Sequence, residues 1–167
     1  MEHFIIYDRA SGRELWRGGG QPGSAELVEL PEGAAIVVVP REVVQSPDLD
    51  LVVLKAAIVR QIDSNAEQVR QLYLTPGAGQ AMTYQRKESE ARAWLADNSV
   101  AVPFLVAEAQ ARNMDVSDLA AEVIVMADAW IVTGAAIEAR RMGAKAAVQV
   151  AGTLGAIVAA AKVDWTI

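Results

Sequence analysis

The sequence predicts an α+β fold, with a small N-terminal antiparallel β module followed by an alanine-rich helical bundle. Three observations predict it. Short β-branched and aromatic runs, separated by Gly- and Pro-containing turns, are confined to the first 46 residues. Beyond Ser46-Pro47-Asp48 the apolar residues recur at steps of three and four. Hydrophobic residues make up 53% of the chain but aromatics only 5%, so the core must draw on alanine and valine and on closely packed backbones. The expected division is a module of three or four strands over 1–46 and a bundle of four or five helices over 47–167.

Within the module, Phe4-Ile5-Ile6-Tyr7 reads as a strand. Asp8 to Arg13 supplies a turn in which Gly12 can take positive φ. Glu14-Leu15-Trp16-Arg17 alternates as a half-buried strand should, completing a hairpin. Gly18-Gly19-Gly20-Gln21-Pro22-Gly23 is expected as a flexible loop, and Glu26–Leu30 as a third strand or a short helix. Ala35-Ile36-Val37-Val38-Val39 is the strongest strand, stopped by Pro40, and its unbroken apolar run predicts burial on both faces. A module this small should pack on the helices or on a partner chain.

In the bundle, Leu54, Ile58, Ile62, Ala66 and Val69 share one helical face, and the helix should stop near Leu74 before Thr75-Pro76-Gly77. A second helix is expected from about Gln80 to Ala96. Pro103 suits the first position of a short third helix, Phe104–Arg112, ended by Asn113. Ser117 or Asp118 can cap the last region, helical from about Asp118 to Lys162 with Gly152 and Gly155 separating two helices. Leu119, Val123, Met126, Trp130 and Ile137 form its apolar stripe.

Composition removes several classes of function. A net charge of −6, with the acidic excess concentrated before residue 51, argues against nucleic acid and against an electrostatic membrane anchor. The absence of cysteine excludes disulfides, thiol catalysis and Cys-based zinc sites. Met1-Glu2-His3 lacks the basic region of a signal peptide. The uncharged stretch Ala146–Ala161 is shorter than the ~20 residues a spanning helix needs.

Chemistry-bearing constellations are sparse. His3 is the only histidine, so any Ser-His-Asp arrangement would depend on it. Gly77-Ala78-Gly79 follows a helix rather than a strand, and Arg17-Gly18-Gly19-Gly20 is not followed by a phosphate-binding lysine. Glu88 and Glu90 lie two apart on a helix and point to different sides. Asp48 and Asp50 read as solvated linker charges, and Asp128 as solvent-facing or paired with a base. No catalytic, metal-binding or cofactor-binding residue is expected.

Surfaces are the more informative feature. Ala135, Ala139, Gly143, Ala147, Ala151, Gly155 and Ala159 are small and spaced by four. Such a row drifts about 40° per step, yet over three or four positions it is a smooth ridge for close helix approach. It serves either packing within the chain or a homo-oligomer seam. Trp16 is a further anchor candidate, and Trp165 and Ile167 lie in an apolar tail that docks on its own bundle or on a neighbour. The candidate interface is therefore Trp16, Ala139, Gly143, Ala147, Ala151, Gly155, Trp165 and Ile167.

Tyr7-Asp8, Ser11-Gly12-Arg13, Trp16 and Gly18 form an N-terminal signature. A longer one runs from Leu54-Lys55 through Ile62-Asp63, Ala66, Arg70, Leu74-Thr75-Pro76-Gly77-Ala78-Gly79-Gln80-Ala81, Tyr84, Lys87 and Glu90-Ala91. Pro103, Leu105, Glu108, Trp130, Ile137-Glu138-Ala139 and Lys145-Ala146 continue it. In these residues, over most of its length, the chain resembles small proteins encoded in the tail regions of tailed bacteriophages, near fibre and baseplate genes. The resemblance implies a non-enzymatic virion component at the tail fibre or baseplate, made in the host cytoplasm. It would dock on phage tail, fibre or baseplate proteins and could form a homo-oligomer. A tail-fibre assembly chaperone, not retained in the virion, is the alternative, and a small hydrolase with an unrecognised site a third. No catalytic residue comes with the resemblance.

Overall fold

A computed structural model describes all 167 residues. It has a three-stranded antiparallel sheet at the N-terminus followed by helices, the expected α+β class. The strands are β1 (Glu2–Asp8), β2 (Glu14–Gly20) and β3 (Ala34–Val39), with a single 3-10 turn at Ser24–Leu27. The helices are α1 (Arg41–Val44), α2 (Leu51–Arg70), α3 (Ala78–Ala96), α4 (Pro103–Arg112), α5 (Val116–Val150) and α6 (Leu154–Ala160).

The chain forms two compact units. One contains Met1–Glu67 and Glu138–Thr166, the other Gln68–Ile137 with Ile167. All three strands lie before the expected boundary at residue 46, together with the short α1, but the compact units divide inside α2 and α5, each an unbroken helix. The physical reason is burial. A three-stranded sheet has a face to cover, and the start of α2, the end of α5 and α6 cover it.

In the first unit the strand order is β2-β1-β3, so β1 is central. Its alternation sorts two clusters. Ile5 and Tyr7 join Val39, Val43, Leu54, Ile58, Ile62, Val148, Leu154 and Ile157. Phe4 and Ile6 face the other way, onto Ala25 and Ala34. The strand buried on both faces is thus β1, whereas the all-apolar β3 lies at the sheet edge with Val38 exposed. Hydropathy alone does not distinguish the two, since sheet position follows from pairing.

The expected loop at Gly18–Gly20 is also corrected: these glycines continue β2, paired with Phe4, His3 and Glu2. A Cβ on Gly18 would overlap the Phe4 ring, one on Gly19 would crowd Glu2 O and one on Gly20 Ser24, so the missing side chains make room for close neighbours rather than for flexibility. The hairpin turn is built as expected. Asp8 Oδ1 accepts from Ser11 N at 2.7 Å and Ser11 Oγ at 2.6 Å, and Gly12 takes φ 68°. Glu26 falls in the 3-10 turn, the helical alternative for that segment. Glu2 fastens this turn, accepting from Ala25 N at 2.8 Å and Gly23 N at 3.1 Å.

The second unit has its own core, in which Ala91 of α3 meets Val102, Leu105 and Ala109 of the α4 segment and Leu119, Ala120 and Val123 of α5. Pro103 occupies the first turn of α4, and Asn113 ends it in the left-handed conformation with φ 52°. The capping residue of α5 is Asp115, whose Oδ1 accepts from Ser117 N at 2.7 Å, rather than Ser117 or Asp118. Of the expected stripe on this helix, Leu119, Val123 and Ile137 are buried and Trp130 half-buried, but Met126 is exposed.

Candidate interface surfaces

The ionisable residues mostly hold helices together. In the second unit, Glu90 is only 4% exposed and accepts from Phe104 N at 2.9 Å, Leu105 N at 3.2 Å and Arg86 Nε at 2.9 Å. Both backbone donors belong to the first turn of α4, whose amide groups have no partner within the helix. Lys87 Nζ bonds Glu108 at 2.6 Å and sits 5.7 Å from the Tyr84 ring centroid, while Tyr84 Oη bonds Thr75 Oγ1 at 2.9 Å. Glu108 is held below its ordinary value, first by the Lys87 bond. Thr75, Tyr84, Lys87, Glu90 and Glu108 are all in the signature quoted above: the Lys87–Glu108 and Glu90 bonds fix α3 against α4, and the Tyr84–Thr75 bond ties α3 to the segment before it. Glu88 is separate, paired with Arg92, which also bonds Asp128 at 2.6 Å. Asp128 is thus paired with a base, one of the two readings of the sequence.

In the first unit, Asp63 of α2 accepts two bonds from Lys145 Nζ, each 3.0 Å, and one from Arg141. The Lys145 bond, followed by the Arg141 bond, holds the Asp63 carboxyl below its ordinary value. Arg141 also binds Glu138, and the two carboxylates raise its own pKa.

No group of three or more His, Cys, Asp or Glu side chains is placed to hold a metal ion. A concavity of about 940 Å³, open to solvent, is lined by His3, Arg41, Glu42, Arg60 and Ser64 among others, with Arg60 paired to Glu42. His3 lies in β1.

The candidate interface residues do not share one surface. Ala139, Gly143 and Ala147 are exposed on α5, and a Cβ on Gly143 would meet nothing within 4 Å. Ala151 lies beyond the end of that helix, where Thr153 Oγ1 caps α6 by accepting from Ala156 N at 3.2 Å. Gly155, in α6, is used internally: its N–H donates to Gly12 O at 3.2 Å, and a Cβ there would lie 2.8 Å from Gly12 Cα. The ridge therefore stops at the break after Val150 rather than running to Ala159. Trp165 is half-buried against the first unit's core, whereas Trp16 and Ile167 are exposed.

The sequence reading missed larger side chains. Val125, Met126, Ile131, Val132, Met142 and Val150 of α5 are all exposed. The available signal was an apolar helix of 35 residues without a clear polar face, a composition that expects cover on more than one side. By length and composition α5 is apolar enough to cross a membrane, and most of its apolar stretch is not buried. No known protein family, curated protein or solved structure matches the chain.

Proposed function

We propose that the chain is a non-enzymatic structural component of a tailed-phage virion, associated with the tail fibre or baseplate and acting through protein–protein docking. The observation that carries the docking part is the apolar surface of α5. Its exposed valines and methionines have no cover within the chain's own units, and uncovered apolar surface of this kind marks interaction sites. The signature residues support the structural part, because they form packing and charge networks rather than a reactive cluster. The phage assignment rests on the resemblance of those residues to tail-region proteins.

The test is quantitative mass spectrometry of purified virions from the source, counting this chain against the major tail proteins. A fixed copy number in intact particles is the expected result. Absence from particles, with binding to fibre protein in lysates, would replace this reading with the assembly chaperone.

A further inference from the structure

The exposed face of α5 carries a period of its own. Leu119, Val123, Ile137 and Val148 are its large buried residues. On the opposite side, Val125, Ala129, Val132, Ala136, Ala139, Gly143, Ala146 and Val150 follow at steps of four and three in strict alternation. All are apolar, Ala136 is half-buried, and the rest are exposed, with Val125 at 70%, Val132 at 71% and Val150 at 85%. This is a heptad seam. The row spaced by four crosses it, sharing Ala139 and Gly143.

We propose that a second copy of this chain packs on the seam, α5 against α5. Period and charge favour that occupant. A seven-residue apolar repeat stays turned toward a neighbour only when the neighbour is a helix that supercoils with it. A lipid surface imposes no such period, and five of the eight positions are Ala or Gly, which serve close helix approach better than contact with acyl chains. The seam positions themselves carry no charge, and of the charged residues directly flanking them Arg140 is half-buried. The acidic group beside it, Asp128, is already bonded to Arg92 at 2.6 Å. At 1.5 Å per residue the seam is about 39 Å long, and a helix is about 10 Å wide, so its footprint is on the order of 400 Å². Exposed Met126, Ile131 and Met142 border it and widen the strip toward the roughly 800 Å² per partner of a stable interface.

The inference goes beyond the virion reading and does not depend on it, since it concerns the purified chain alone. The experiment is sedimentation equilibrium and native mass spectrometry of the full chain in buffer without detergent or lipid, over a range of concentrations. Wild type should form a discrete oligomer. Val132→Glu and Gly143→Leu should each weaken association roughly tenfold or more while circular dichroism shows unchanged helicity. Leu27→Glu, exposed on the 3-10 turn, should associate as wild type does. A wild-type chain that stays monomeric throughout would overturn the proposal. So would seam variants that associate as strongly as Leu27→Glu. Uptake into phosphatidylcholine vesicles by a chain monomeric in buffer would overturn it in favour of a bilayer. Should Val132→Glu lose helix content, Ala139→Arg is the second charged variant to be read in the same way.

Discussion

Glu90 keeps a carboxylate inside the second unit because three donors converge on it: two amides from the start of α4 and the Arg86 guanidinium. Removing the acceptor leaves the two amides without a partner in a place water reaches poorly. Glu90→Ala should therefore destabilise the protein by about 2 kcal/mol, and Glu90→Gln by less, read as a lowered midpoint in urea unfolding. An unchanged midpoint in the alanine variant would show that the cap contributes nothing. The spacing of Glu88 and Glu90 revealed that the two point to different sides. It could not reveal which was buried, because the partner of Glu90 is the backbone of another helix and leaves no side-chain signature. Asp63 makes a pH prediction. Its folded pKa lies below its ordinary value near 3.8, so its contribution is present above that value and lost as pH falls through the lower folded one. Asp63→Asn should cost less than about 1 kcal/mol at neutral pH, given its exposure, and the gap to wild type should close in acid. A gap that widens on acidification would contradict the assignment.

Among the elements, the helices were the most legible, since α3 and α4 each begin or end at a residue that forces the boundary, although α2 ends at Arg70 rather than near Leu74. Pro103 opens α4 and left-handed Asn113 closes it. The β module was legible at its hairpin turn but not at its edges. Three consecutive glycines imply a loop by composition, yet they extend β2, and at Gly18 it is the Phe4 ring on the adjacent strand that needs the space. Gly18→Ala should thus cost about 1–3 kcal/mol by overfilling the site, and Phe4→Leu should recover part of the loss in a double-mutant cycle. Additive losses would mean that the ring is not what excludes a side chain. The apolar run of β3 was expected to be buried on both faces but lies at the sheet edge, because strand order depends on pairing, which hydropathy does not encode. The spacing-by-four ridge was legible only as far as the helix that carries it. Beyond Val150 the same spacing continues in the sequence, but Gly155 serves the Gly12 turn instead.

For the molecule as a whole, the account is one of surfaces. The α+β class followed from where the apolar period changes near residue 46, but the division into compact units did not, because α2 and α5 each contribute residues to both. Charged pairs such as Arg92–Asp128 and Lys145–Asp63 join helices to one another, while α5 leaves large apolar side chains exposed. The interface candidates from the sequence included two members of its heptad seam, Ala139 and Gly143, and missed the valines. Their burial can only be judged once the opposite face is known to be packed. The central claim, that another copy covers this seam, can be tested directly because the chain has no cysteine of its own. The measurement is the rate of maleimide labelling of Val132→Cys in the purified chain, relative to Glu29→Cys, at concentrations spanning association. The account predicts that Val132→Cys becomes strongly protected as the chain associates while Glu29→Cys stays reactive. Equal, concentration-independent labelling of both would contradict it.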